Sequence, residues 1–123
     1  MKPRLADASI VTLCNERFAP RVAEQPEFEL IDWRVVARSN GDEVVVGFWN
    51  GGATCRVTTP VAHFDPQRRE VRTLSGRRYE LSGPPAASDE AILLIEARLV
   101  ATGLSDCTDV TAAFWREIAA ATQ

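Results

Sequence analysis

The sequence predicts an α+β domain, in which an antiparallel β-meander of about five strands follows one helix and precedes two more. Turn-forming residues divide a β-rich middle region into short segments. Apolar residues recur at helical spacing on both sides of that region. The chain has 123 residues, 46% of them hydrophobic and 25% charged. Since one core serves a chain of this length, we expect residues 1–123 to form a single domain.

The first predicted element is an amphipathic helix from Ala8 to Phe18. Asp7 and Ser9 offer capping side chains at its start. Apolar residues then recur at every fourth position: Ile10, Cys14 and Phe18. Pro20 ends the helix. The following segment 28–33 fits either a helical turn or the approach to a strand.

The first hairpin is predicted at Asn40-Gly41, a dipeptide that favours a two-residue type I′ turn. This turn would join strands 33–39 and 43–49. One face would then pair Ala37 with Val44, Val35 with Val46 and Trp33 with Phe48. The other face would pair Arg38 with Glu43 and Val36 with Val45, so that opposite charges meet and apolar residues meet.

Three further turn signals continue the meander. Asn50-Gly51-Gly52 places Cys55 and Val57 on the face of Phe48, whichever dipeptide closes the turn. Asp65-Pro66 marks another turn, and its register stays open. At Ser75-Gly76 a three-residue loop keeps Val71 and Tyr79 on one inward face. The remaining predicted strands are 54–63, 69–74 and 78–82, and a meander of this size tends to coil into a half-barrel.

Two helices are predicted after Gly83-Pro84-Pro85. The first begins at Ser88-Asp89-Glu90, with acids in its first turn, and stops at Gly103. The second begins between Ser105 and Asp109. Its apolar face carries Val110, Ala113, Phe114 and Ile118. We expect both helices to pack on the sheet face that holds Trp33, Phe48 and Val57.

The net charge of −3 is a small difference between unlike segments. Residues 1–32, 33–66, 67–83 and 84–123 sum to −2, 0, +3 and −4. Lys2 is the only lysine, so arginines supply the other cations. Five of them lie on the predicted hairpin 68–78: Arg68, Arg69, Arg72, Arg77 and Arg78.

The sequence offers few groups for catalysis or for holding a metal. The three cysteines are far apart and have no histidine nearby, so we expect small reduced side chains. The pairs Asp89/Glu90 and Asp106/Asp109 are explained as helix caps. No nucleotide-binding or nucleophile-elbow motif is present. We therefore expect no metal and no cofactor. Without an apolar leader or an apolar run of membrane-spanning length, a cytoplasmic protein is expected.

The candidate partner-binding residues lie on the predicted sheet face opposite Trp33. They are Trp49, Arg34, Arg38 and Arg56. Tryptophan and arginine dominate binding hot spots, so an uncovered face of this kind would bind another protein or a second copy of the chain. The open alternative is that the N-terminal helix or the segment 28–31 covers this face.

The expected function is that of a small non-enzymatic regulator, adaptor or inhibitor that occupies a site on a larger protein. A phage- or plasmid-encoded inhibitor of a host machine, such as a nucleic-acid-targeting defence complex, fits the size and the acidic ends. The alternative is a nucleic-acid or phosphate-ligand module that uses the arginines of hairpin 68–78, although the pI of about 5.2 is acidic. A third hypothesis is a small hydrolase in which His63 and Asp65 share a strand face.

Overall fold

The computed structural model describes residues 27–49 and 54–122, which form seven strands and two helices. The strands are β1 (Glu27–Ala37), β2 (Glu43–Trp49), β3 (Thr54–Val57), β4 (Val61–Asp65), β5 (Glu70–Thr73), β6 (Arg78–Leu81) and β7 (Thr108–Asp109). The helices are α1 (Asp89–Ala101) and α2 (Thr111–Ala121). The α+β class is confirmed. The predicted helix from Ala8 to Phe18 and the turn at residues 50–52 lie outside the described residues.

The sheet is mixed, whereas the sequence predicted an antiparallel meander. Its strand order is β3-β2-β1-β6-β5-β4, and β7 adds to β1. The pairing of β1 with β6 is parallel and aligns Phe28 with Tyr79. The meander prediction was wrong because it began β1 at residue 33. The predicted single strand 54–63 was also wrong, since the chain divides there into β3 and β4 at opposite edges of the sheet. The preceding residues alternate between exposed and buried, with Phe28 and Leu30 in the core, as expected of a half-buried strand.

The sheet is curled but not closed. Five strand spacings would put the edge strands β3 and β4 about 24 Å apart in a flat sheet. The connection from Val57 to Val61 spans at most about 14 Å. This short connection can join the edge strands β3 and β4 because the sheet curls. The same curl brings β4 into contact with β2. Thr58 fixes this crossing: its backbone N–H donates to Val45 O at 2.9 Å and its hydroxyl accepts from Val45 N at 3.0 Å.

The first hairpin contains a three-residue loop, Ser39-Asn40-Gly41, instead of the predicted two-residue turn. Arg38 N donates to Asp42 O at 2.7 Å and Gly41 N donates to Arg38 O at 2.9 Å. Gly41 has a φ of +92°, as a type I turn followed by a left-handed residue requires. The pairing of Ala37 with Glu43 in place of Val44 is therefore a correction of the predicted register.

The hairpin between β5 and β6 has the predicted three-residue loop and the same bonding. Thr73 N donates to Arg77 O at 3.0 Å and Gly76 N donates to Thr73 O at 2.8 Å. Gly76 has a φ of +91°. Val71 accordingly lies opposite Tyr79, and both side chains are buried.

A bulge in β1 keeps its apolar side chains on one face. The register with β2 shifts between Ile31 and Arg34, and Asp32 takes a φ of +47°. Leu30 and Trp33 therefore face the same core, although they are three residues apart. Gly47 on β2 provides the space, since a Cβ there would lie 3.1 Å from the Cβ of Trp33.

Two apolar clusters lie on opposite faces of β1 and β2. One joins Val35 and Val45 to Phe114 and Ile118 of α2. The other includes Val36, Val44, Val46 and Phe48 of the sheet and Ala91, Ile95 and Leu99 of α1. The prediction that both helices pack on one face was wrong, because the one-residue change in register exposes a separate apolar face to each helix.

Local signals mark both ends of α1 and the start of α2. The hydroxyl of Ser88 accepts from Ala91 N at 3.1 Å, which confirms the predicted start of α1. Gly103, with a φ of +80°, follows its end. At the start of α2, Asp109 Oδ1 accepts from Thr111 N at 2.9 Å.

Candidate functional site

The structure divides the predicted partner-binding residues between different surfaces. Trp49 and Arg56 lie on the concave side of the curled sheet. This is the side on which Val35 and Val45 pack against α2. Arg34 pairs with Val46 and points to the α1 side. Arg38 is exposed at the first hairpin loop. The corrected register is the reason, since it moves Arg34 and Val36 to the face opposite Val45.

The segment around Phe28 covers Trp49 and Arg56, as the alternative in the sequence analysis allowed. The rings of Phe28 and Trp49 have centroids 4.3 Å apart. The guanidinium carbons of Arg56 and Arg77 lie 5.0 and 4.8 Å from the Phe28 centroid. Arg56 Nε also donates to the Tyr79 hydroxyl at 3.1 Å. With exposures of 9% and 5%, these two arginines belong to the packed interior.

The arginines of hairpin 68–78 likewise have different surroundings. Arg69 donates to the carbonyl oxygens of Leu81 and Gly83, and its guanidinium lies 5.4 Å from the Trp115 ring. Arg78 forms an ion pair with Glu27 at 2.6 Å. Arg77 is buried, whereas Arg68 and Arg72 are exposed. The hairpin therefore does not present its five arginines as one surface.

The convex face beside this hairpin carries acids as well as arginines. Cross-strand pairs align Asp65 with Glu70, Glu70 with Glu80, and Glu80 with Glu29. Two residues away, Arg72 lies opposite both Arg78 and His63. The arginines on this face are thus accompanied by a row of carboxylates, which weakens the electrostatic attraction of the face for phosphates.

His63 is exposed on β4 and pairs with Arg72. Asp65 uses Oδ1 to accept from the backbone N–H groups of Gln67 and Arg68. Within residues 27–49 and 54–122, no hydrogen bond joins His63 to Asp65 or to a hydroxyl or thiol. The geometry gives no particular support to the hydrolase hypothesis.

A cleft of about 460 Å³ lies between α1, the end of β1 and the loop that leads to β7. We call it the α1 cleft. Its lining residues are Arg34, Val36, Ile92, Ile95, Glu96, Leu99, Val100, Leu104, Ser105, Cys107 and Asp109. This volume falls within the range of ligand pockets, about 300–1,000 Å³. The lining is mainly aliphatic and has a few polar groups.

Two of the charged groups that line the cleft, Arg34 and Asp109, are fixed by internal bonds. Arg34 Nε donates to Asp109 Oδ2 at 2.8 Å, and its Nη1 donates to Ala86 O at 2.6 Å. Asp109 also accepts from Thr111 N. Partial burial acts to raise the pKa of Asp109, but the hydrogen bonds from Arg34 and Thr111 outweigh it and hold that pKa below its ordinary value. The carboxylate is therefore ionised at neutral pH and is no proton donor.

The thiol in the cleft is also unsuited to nucleophilic attack. Partial burial and the negative charges of Asp106 and Asp109 raise the pKa of Cys107. Cys55, packed beside the α1 cluster, has its pKa raised to about 11 by burial, against the opposing effect of Arg98. Since the thiolate is the reactive form, these raised pKa values lower the reactivity of both thiols at neutral pH.

The α1 helix continues the apolar surface beyond the cleft. Ile92 and Val100 line the cleft, and Leu93 lies beside them on the same side of α1. Leu93 and Val100 are 67% and 64% exposed. We call Ile92, Leu93 and Val100 the α1 flank. Leu94 lies on the other side of α1, near Asp32 and Phe48.

Of the residues that line the α1 cleft, Arg34 was predicted from the sequence as a binding residue and the others were not. Five consecutive apolar residues, Ala91–Ile95, lie in the first half of α1. This helix therefore has more apolar residues than one buried face can hold, which was the available sequence signal for a second apolar surface on α1. The approach of Arg34, Glu96 and Asp109 depends on long-range packing and has no local signal.

Within the described part of the chain, no group of His, Cys, Asp or Glu side chains is arranged to hold a metal ion. The described helices are too short or too polar to cross a membrane. Comparisons of the chain with protein-family models, curated proteins and solved structures gave no match.

Proposed function

We propose that this chain is a binding protein that regulates a larger protein by occupying a site on it, as an adaptor or inhibitor, and that the α1 cleft and α1 flank form its docking surface. The observation that carries the proposal is the apolar flank beside an apolar cleft. Leu93 and Val100 are large aliphatic residues on α1 whose side chains are left mostly in water. Exposed apolar surface next to a groove is typical of protein interaction sites.

The energetics favour a protein partner. Fully burying one Val, Leu or Ile side chain contributes about 1.5–3 kcal/mol. Covering Leu93 and Val100 would therefore contribute a few kcal/mol, which is the size of a binding hot spot. A small ligand inside the cleft would leave Leu93 uncovered, because this residue is not part of the cleft lining.

The chemistry of the cleft supports binding in preference to catalysis. Asp109 is engaged by Arg34 and Thr111, and the raised pKa of Cys107 keeps its thiol protonated. The arginine hairpin has less support as an anion site, because Arg69, Arg77 and Arg78 contact other parts of the protein.

Photo-crosslinking tests the proposal in three steps. A crosslinking amino acid at position 93 or 100 captures the partner from the native host, and position 74 serves as the control, since Leu74 is an exposed leucine on the distant β5–β6 loop. The partner is then purified, and its affinity for the Leu93→Gln/Val100→Gln variant is compared with that for Leu74→Gln.

We expect a stoichiometric complex that the double variant weakens at least about tenfold, which corresponds to 1.4 kcal/mol. Leu74→Gln should leave the affinity unchanged, and circular dichroism should show that both variants are folded. A complex that is insensitive to the double variant would contradict the proposal, as would catalytic turnover that is lost in His63→Ala.

A further inference from the structure

We infer that the α1 cleft and flank take a basic amphipathic segment of the partner protein, with aliphatic side chains in the cleft and lysine or arginine at its rim. This inference rests on the proposed function, because it assigns the chemistry of the partner at the same surface. The charge distribution around the cleft supports this inference.

The cation in the cleft lining is already neutralised. Arg34 Nε donates to Asp109 and Arg34 Nη1 donates to Ala86 O. Only about a quarter of the Arg34 side chain is exposed. Its positive charge is therefore directed inward, and a partner carboxylate would have to compete with Asp109 for it. An acidic segment gains little at this site.

The negative groups at the rim face water. Glu96 lines the cleft, is exposed, and takes part in no ion pair within residues 27–49 and 54–122. Asp106 is exposed on the adjoining loop, close enough to Cys107 to raise its pKa. Asp109 is also partly exposed beside its bond to Arg34. The rim therefore offers carboxylates without an equal number of available cations.

The positions of these groups define the segment that fits. Glu96 lies on the same side of α1 as Leu93 and Val100, at spacings of three and four residues. A partner helix laid along α1 can place aliphatic side chains over Val100 and in the cleft, and a cation beside Glu96. Docking an amphipathic helix in a groove is a recurrent mode of peptide recognition.

A pair of synthetic peptides tests this inference with the full chain. One helical peptide carries leucines on one face and lysines on the other. A second, otherwise identical peptide has glutamates in place of the lysines. Fluorescence anisotropy measures the binding of each. We expect binding of the lysine peptide to be saturable, with the glutamate peptide binding much more weakly.

Variants separate the rim from general attraction by an acidic protein. The Glu96→Gln/Asp106→Asn variant should weaken binding of the lysine peptide about three- to tenfold, the size expected for two exposed ion pairs. Glu70→Gln/Glu80→Gln removes the same charge from the convex face of the sheet and should leave the affinity unchanged. Leu93→Gln/Val100→Gln should weaken the binding of the peptide as it weakens that of the partner.

Several results would overturn the inference. Equal binding of both peptides, no binding of either, or equal losses in the two charge variants would each do so. A dimer of the chain that dissociates in Leu93→Gln/Val100→Gln would assign the surface to a second copy instead. If the double variant releases the captured partner while the charge variants and the peptides show no effect, the proposed function stands and the basic segment is wrong.

Discussion

Asp109 and Arg34 are 75 residues apart in sequence and form an ion pair at 2.8 Å. The same carboxylate accepts from Thr111 N at the start of α2. Arg34 reaches in the other direction to Ala86 O, just before α1. One carboxylate thus connects β1 to the start of α2, and Arg34 extends the connection to the segment that leads into α1. Both residues line the α1 cleft.

Replacing Asp109 should destabilise the protein modestly. Asp109→Ala removes the acceptor of the Thr111 N–H hydrogen bond, which costs about 1 kcal/mol, and a half-exposed ion pair, which adds up to about 1 kcal/mol. We expect a loss of about 1–2 kcal/mol in the free energy of unfolding, measured by urea denaturation. Asp106→Ala is the matched control, since Asp106 forms no hydrogen bond among those described, and it should change stability by less than about 0.5 kcal/mol.

The contribution of Asp109 to stability should also depend on pH. Its pKa is lower in the folded chain than in the unfolded chain. Its stabilising effect is therefore fully present above the ordinary aspartate pKa of about 4 and is lost as the pH falls through the folded value. The difference in unfolding free energy between wild type and Asp109→Asn should be larger at pH 7 than at pH 3. An equal difference at both pH values would show that the charge of Asp109 contributes nothing.

Gly47→Ala should destabilise the sheet, although alanine usually stabilises a strand relative to glycine. The added Cβ would lie 3.1 Å from Trp33 Cβ and 3.3 Å from Ile31 O, so the bulge in β1 must move. We expect a loss of about 1–3 kcal/mol, measured by thermal and urea unfolding. If the Gly47→Ala protein is more stable than wild type, the prediction is wrong and the bulge in β1 can move without a cost in stability.

Arg69 should matter for stability and Arg68 should not. Arg69→Gln loses bonds to two carbonyl groups and the contact with Trp115, and we expect a cost of about 1–3 kcal/mol. Arg68→Gln is the neighbouring control, because that side chain is exposed.

Retention on a heparin column should be weak for wild type and for both the Arg69→Gln and Arg68→Gln variants. Strong, salt-sensitive retention that Arg68→Gln and Arg72→Gln abolish would favour the anion-binding alternative.

The local parts of the fold were predictable from the sequence. Ser88 begins α1, Gly103 follows it, and Ser75-Gly76 closes the second hairpin as expected. Cys55 and Val57 lie on the same face as Phe48 and Val46, also as expected. In each case a few adjacent residues determine the backbone, so that a sequence pattern is sufficient.

The register of β1 with β2 was not predictable from the turn alone. Asn40-Gly41 fits a two-residue turn and also the last two positions of a three-residue loop. The structure takes the second, which places Trp33 and Val35 on the side of Phe28 and Leu30. This choice depends on the bulge at Asp32 and on the parallel pairing with β6, which are not local properties. The predicted binding face, which combined Trp49 with Arg34, depended on the other register.

Hydrogen–deuterium exchange of the chain with and without its captured partner tests the central claim most directly. If the partner occupies the α1 cleft and flank, exchange should slow in the second half of α1 and in the loop from Leu104 to Cys107, while the loop at Leu74–Gly76 stays unchanged. Slower exchange confined to strands β4–β6, with none between residues 92 and 107, would contradict the claim and move the binding site to the convex face of the sheet.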